Sequence, residues 1–188
     1  MLKLKDIFNY MDFFSLKNSS NKPIFNRRLT TACFSGPRYS KLQALNVDET
    51  KISLSLKNII INSISDGYKT FLVGCCDGFD ILAAEAVLNL KTLYPDLQLV
   101  CVVPFKNHYE KFNDSWQKRY FNMLRFCDKK IILQKYHTPK CYQRRNEYMA
   151  NRSSLLICCF NNKKGGTKNM VEYCKNLDIQ VENILDYN

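Results

Sequence analysis

The chain has 188 residues, 28 Lys+Arg against 17 Asp+Glu for a formal net charge of +11, and 46% hydrophobic and 13% aromatic residues. That length suits one domain with a full core plus a short appendage, and the composition excludes a disordered chain. Six Gly and five Pro exclude a collagen-like or linker-dominated architecture, and no stretch approaches the ~20 uninterrupted apolar residues of a membrane-spanning helix.

Residues 1–28 stand apart as an N-terminal extension. Leu4, Ile7, Phe8, Met11 and Phe14 recur at helical spacing and predict an amphipathic helix, followed by a polar linker over Asn18–Pro23. From residue 29 to 188 short apolar runs alternate with helical patterns. Leu29–Phe34 reads as a strand and Asp48–Asp66 as a helix with the stripe Ile52, Leu56, Ile59, Ile60 and Ile64. Thr70–Val73 is a second strand, Ile81–Leu93 a helix whose alanines allow close packing, and Leu97–Val103 a third strand. A helix over His108–Arg125, a strand over Lys130–Leu133 and a helix over residues 139–150 follow. The chain then gives a strand at Leu155–Phe160, a helix opened by Gly165-Gly166-Thr167 and a last strand at Ile179–Ile184. Continuous apolar strands separated by helices predict an α/β, doubly wound, mainly parallel sheet with helices on both faces.

Nine cysteines, an odd number, sit mostly in apolar runs, where a thiol behaves as a small hydrophobe. There is no CxxC pair, and neither His108 nor His137 stands at ligand spacing from a cysteine, so no metal and no cofactor are expected. Asp6 and Asp12 interrupt the apolar residues a signal peptide would need, and reduced thiols point to a cytoplasmic protein with no membrane partner. Positive charge concentrates in residues 100–152, which hold 12 Lys/Arg and 4 Asp/Glu. Such a segment serves an anionic ligand, a nucleic acid, or simply a solvated basic face.

In an open parallel sheet, ligands sit outside the carboxyl ends of the strands, and four sequence features fall there. Ser35-Gly36-Pro37-Arg38 follows the first strand: glycine admits close approach, serine donates, and Arg38 pairs with phosphate; the alternative is a plain turn. Gly74-Cys75-Cys76-Asp77-Gly78-Phe79-Asp80 makes a tight crossover into a helix containing Glu85. Asp80 there suits a ribose hydroxyl or, alternatively, caps the helix with Asp77. Tyr142-Gln143-Arg144-Arg145-Asn146 places Arg145 about two turns before Arg152 on one helical face, as a phosphate clamp or a solvated face. Finally, Gly165-Gly166-Thr167 between a strand and a helix offers exposed amides, a dipole and a hydroxyl to an anion, or makes a simple turn with Thr167 as the N-cap.

Taken in order, these features resemble the SLOG superfamily, the Rossmann-like group named for Smf/DprA and the plant LOG enzymes. The resemblance is nearest to its small stand-alone members of the YspA type. The matching residues are Phe34-Ser35-Gly36-Pro37-Arg38, Gly74 with Gly78-Phe79-Asp80 and Ala83-Ala84-Glu85, and Tyr94-Pro95-Asp96. They continue through Val103-Pro104-Phe105, Tyr142 with Arg145-Asn146 and Met149, and Gly165-Gly166-Thr167, so the likeness runs from about residue 29 to 184.

The resemblance implies a Rossmann-like domain that binds a nucleotide or nucleotide-derived ligand as a sensor or sequestering module. Two further activities occur in the group: cleavage of a nucleoside monophosphate, and binding of single-stranded DNA. The hydrolase branch carries a glutamate soon after the threonine, whereas Thr167 here is followed by Lys168-Asn169-Met170-Val171-Glu172. If the chain is an enzyme, its carboxylate is therefore Asp80 or Glu85. The expected ligand contacts are Ser35, Gly36, Arg38, Gly74, Gly78, Asp80, Arg145, Asn146, Gly165, Gly166 and Thr167. Self-association into a homodimer or higher homo-oligomer is also implied, with the apolar face of residues 4–14 as one contact surface.

Overall fold

The computed structural model describes residues 28–44 and 48–187. The amphipathic helix and linker expected within residues 1–28 lie outside the described residues. Six strands, β1 (Thr31–Ser35), β2 (Thr70–Val73), β3 (Gln98–Val103), β4 (Lys129–Ile132), β5 (Leu155–Cys158) and β6 (Gln180–Asn183), form one sheet in the order β4-β3-β2-β1-β5-β6. Every neighbouring pair is parallel. The helices are α1 (Tyr39–Gln43), α2 (Glu49–Ser65), α3 (Phe79–Leu90), α4 (Asp114–Phe126), α5 (Cys141–Ala150) and α6 (Gly166–Asn176). Among the described residues, no helix is long and apolar enough to cross a membrane.

Strand alternation divides the apolar residues between two layers. Ala32 and Phe34 of β1, Phe71 and Val73 of β2, and Leu155 and Ile157 of β5 face α2, α3 and α4, in a core with Ile52, Leu56, Ile81, Ala84, Trp116 and Met123. Cys33, Leu72, Val100, Leu156 and Cys158 point the other way, onto Met149 and Ala150 of α5 and Met170, Val171 and Cys174 of α6. The fold is therefore doubly wound, as the alternating pattern predicts. Asp48 caps α2 by accepting from the Thr50 amide at 3.0 Å, and Asn113 caps α4 through the Trp116 amide at 3.0 Å.

Strand ends shift by up to two residues from the sequence reading, and the helical part of the pattern changes more. The helix expected over His108–Arg125 is broken: a 3-10 turn spans His108–Lys111, and α4 starts only after the Asn113 cap. The helix expected over Ile81–Leu93 starts at Phe79 and stops at Leu90. Helix α1, five residues long, is new; with Leu42 as its one buried residue it carries no apolar stripe for a pattern to detect.

The strand order places the site. After β1 the chain winds outward through β2, β3 and β4, then returns to lay β5 on the other side of β1. The connections leaving β1 and β5 therefore diverge to opposite faces, opening a crevice at the carboxyl ends of these two strands.

Candidate functional site

A cleft of about 490 Å³ occupies that crevice, within the size range of small-molecule sites. The end of β1 and the segment after it line it with Ser35, Gly36, Arg38 and Lys41, the turn before α3 with Cys76 and α3 itself with Asp80, α5 with Tyr142, Arg145 and Asn146, and the β5–α6 connection and start of α6 with Lys163 through Thr167. Of the eleven expected contacts, Ser35, Gly36, Arg38, Asp80, Arg145, Asn146, Gly165, Gly166 and Thr167 come together here.

Gly74 and Gly78 do not line the cleft; both admit protein rather than ligand. A Cβ on Gly74 would lie 1.0 Å from a terminal nitrogen (Nη1) of Arg145 and 2.8 Å from an Asp80 oxygen. The glycine leaves the space through which the Arg145 guanidinium passes. Gly78, at φ +87°, lies under the backbone of the preceding loop, where a Cβ would approach the Tyr39 nitrogen to 2.5 Å. Gly166 differs from both: a Cβ there would meet nothing within 4 Å, so packing does not require glycine.

Asp80 and Arg145 form the electrostatic centre of the site. Arg145 Nη1 donates to Asp80 Oδ2 at 3.0 Å, with only 7% and 5% of the two side chains exposed. The same Asp80 oxygen accepts from the Cys76 amide at 3.1 Å, and Arg145 Nη2 donates to Cys76 Sγ at 3.4 Å. Asp80 therefore bonds back to the turn before α3 instead of capping the helix in the usual way, and Asp77 is not the N-cap, a position taken by Gly78. Burial opposes the Arg145 charge, but the charge and hydrogen bond of Asp80 outweigh it and hold this guanidinium above its ordinary pKa. Burial likewise pushes the Cys76 thiol up, against the pull of Arg145, which keeps it protonated. Arg145 Nε is buried without a hydrogen-bond partner.

His108 braces this turn from behind. Its Nε2 lies 2.8 Å from the Cys75 carbonyl oxygen; a carbonyl only accepts, so Nε2 carries the proton and Nδ1, buried and unpartnered, does not. Cys75 itself takes the left-handed conformation at φ 65°. Burial lowers the His108 pKa to about 4; the Cys75 bond works against this, while the charges of Arg145 and Arg38 add to it.

The remaining expected residues separate. Glu85 does not reach the cleft. Five residues after Asp80 it points about 140° around α3, where Arg119 holds it bidentately at 2.8 and 2.5 Å. Arg152 does not share a face with Arg145, because α5 ends at Ala150 and Arg152 folds back over the Tyr148 ring, 3.6 Å from its centroid. Thr167 is not an N-cap but the second residue of α6, which begins at Gly166. The loop before α6 is anchored by Asn183 of β6, whose side chain accepts from the Phe160 amide and donates to its carbonyl, both at 2.9 Å.

Lys41, Cys76 and Tyr142 were not among the expected contacts. Tyr142 lies under the Arg38 guanidinium, 4.5 Å from its centroid, and its ring meets Phe105 edge-on. Lys41 sits on the short α1, and its Nζ is 3.4 Å from where a Gly165 side chain would begin.

Two outcomes follow from this geometry. Gly74→Ala and Arg145→Ala each break the same buried ion pair, so each lowers unfolding stability by about 3–5 kcal/mol in urea titrations. Because they act on one interaction, the double variant loses no more than the worse single variant; full additivity would contradict the arrangement. His108 is held neutral with a pKa of about 4, below its ordinary value of about 6.5. Its contribution to stability is complete above about pH 6.5 and falls by roughly 3 kcal/mol as the pH drops toward 4. Unfolding measured across that window shows a shallower decline in His108→Gln, which keeps a donor for the Cys75 carbonyl but does not titrate.

A family model described as the YspA SLOG family matches residues 32–185. Among curated proteins, a UPF0398 protein of Halalkalibacterium halodurans is 28% identical over 120 residues, 63% of this chain and 64% of that protein. A UPF0398 protein of Bacillus cereus is 27% identical over 139 residues, 72% of this chain and 75% of the relative. Among solved structures, DNA processing protein A (DprA) of Streptococcus pneumoniae superposes with a TM-score of 0.51 at 15% identity, over 81% of this chain and 49% of that one. DprA of Helicobacter pylori, whose structure concerns its single-stranded DNA binding mode, gives 0.54 at 13% identity, over 84% and 66%. The chain thus spans just under two thirds of the Halalkalibacterium relative and about half of the Streptococcus protein. The solved structures share the Rossmann-like fold, and the match over residues 32–185 makes the chain a member of the YspA SLOG family.

Proposed function

We propose that the cleft binds a nucleotide or nucleotide-derived ligand, and that the chain works as a sensor or sequestering module. One observation carries this reading: Ser35 and Arg38, Asp80, Arg145 and Asn146, and Gly165–Thr167, from four separate stretches of sequence, meet in a single cleft. Exposed amides at the start of α6 suit a phosphate, and Tyr142 beside Arg38 supplies an aromatic surface near it. Membership of the SLOG family supports the same ligand class.

Binding is favoured over cleavage of an N-glycoside. Asp80 is the one carboxylate among the residues lining the cleft. It is already committed to Arg145 and the Cys76 amide, and this leaves it poorly placed as a base or as a stabiliser of an oxocarbenium-like centre. Glu85 is held elsewhere by Arg119.

The basic excess of residues 100–152 and the likeness to DprA, one structure of which concerns single-stranded DNA binding, favour DNA as a second reading. It requires affinity that falls steeply with salt. The same proposal divides the chain into an extension over residues 1–28 and a SLOG domain from residue 29. It assigns the protein to the cytoplasm, where nine free thiols stay reduced, and includes self-association.

A thermal-shift screen of the full chain against nucleoside phosphates and cyclic ADP-ribose-like ligands tests the leading reading. At roughly one hundred times Kd, a bound ligand adds about 2.7 kcal/mol of stability and raises Tm by several degrees. Arg38→Ala, on an exposed side chain, removes that shift without lowering the unliganded Tm, and no free base is released. Absence of a shift with every ligand, from protein that melts cooperatively, overturns the reading.

A further inference from the structure

We infer that the ligand of this cleft carries at least two phosphate groups, as a nucleoside diphosphate does, rather than one. The inference rests on the nucleotide reading above and deepens it by fixing the charge of the ligand.

The charge balance of the lining is lopsided. Five cations face the cleft, namely Arg38, Lys41, Arg145, Lys163 and Lys164, against the single carboxylate of Asp80. The buried Arg145–Asp80 pair closes on itself at 3.0 Å. Arg38, Lys41, Lys163 and Lys164 form no ion pair among the described residues. These four positive charges, of which Arg38 alone also feels the nearby Asp77 carboxylate, thus surround a volume of about 490 Å³. Like charges so disposed repel one another and focus a positive potential into the cleft. A monophosphate of about −2 offsets half of that excess; a second phosphate group goes further.

The cations also divide in space in a way one phosphate does not use. Lys41 stands beside Gly165, 3.4 Å from the position of a Cβ there, so an ammonium sits at the loop that opens α6. Open space in front of Gly166 leaves that spot accessible. Arg38 holds a second position over the Tyr142 ring. Between these elements Arg145, its side chain more than nine-tenths buried against Asp80, lines the cleft.

Isothermal titration calorimetry on the full chain decides it, with adenosine and guanosine mono- and diphosphates and with an oligothymidylate. For at least one base, the diphosphate binds about tenfold or more tightly than its monophosphate. That preference shrinks as salt rises from about 50 mM to about 300 mM. Lys41→Ala with Lys163→Ala, both on exposed side chains, narrows the diphosphate-to-monophosphate ratio without changing the melting temperature of the free protein. Equal affinity for the two overturns this inference and leaves the nucleotide reading standing. Failure of every nucleotide to bind overturns the nucleotide reading itself, and tighter binding of the oligothymidylate than of any diphosphate overturns both in favour of DNA.

Discussion

The Arg145 guanidinium, laid across Gly74 onto the buried carboxylate of Asp80, is the contact on which the site depends. Three parts of the chain that do not adjoin in sequence are joined by it: the end of β2, the start of α3 and the middle of α5. Buried charges are tolerated only in pairs with their remaining bonding capacity largely met. Asp80 meets this condition through Arg145 and the Cys76 amide. Removing any one element of the arrangement would leave a charge stranded in the protein interior.

Fixing Arg145 in this way determines the chemistry left for the cleft. With Asp80 neutralised by its partner, the lining presents guanidinium, ammonium and amide groups and no spare carboxylate. Such a surface suits an anion better than the withdrawal of a proton from water, in keeping with the binding role proposed. The backing is equally rigid: His108 ties down the strained Cys75 turn, while Asn183 brackets Phe160 at the head of the opposite connection. Parts of both rims are thus tied down by the protein's own hydrogen bonds, which lowers the ordering entropy that the proposed binding would cost.

Much of this was legible in the sequence. The strands announce themselves as apolar runs because a sheet covered on both faces buries every residue of its central strands, and Thr31–Ser35 and Leu155–Cys158 are buried throughout. The segments that follow β1 and β5 were also readable as lining the crevice, since the crevice position depends only on strand order. What stayed hidden was the partner of each group. A glycine signals that something comes close, but Gly74 gave no sign that the visitor was Arg145 rather than a phosphate. Nor did the spacing of Asp80 and Glu85 on α3 reveal that Arg119, 34 residues further on, would draw Glu85 away. Lys41 escaped notice because α1 is too short to show a period, and Arg152 misled because α5 ends two residues before it.

The central claim is that separated segments form one anion-recognising cleft held open by the Arg145–Asp80 pair. Two-dimensional amide NMR of the labelled full chain during titration with a nucleoside diphosphate tests it most directly. Saturable shifts clustered at Gly36, Arg38, Asn146 and Gly165 through Thr167, with β4 and β6 unmoved, are the predicted result. Shifts confined to the outer faces of α3 and α4, or spread evenly over the basic surface with no saturation, would contradict it.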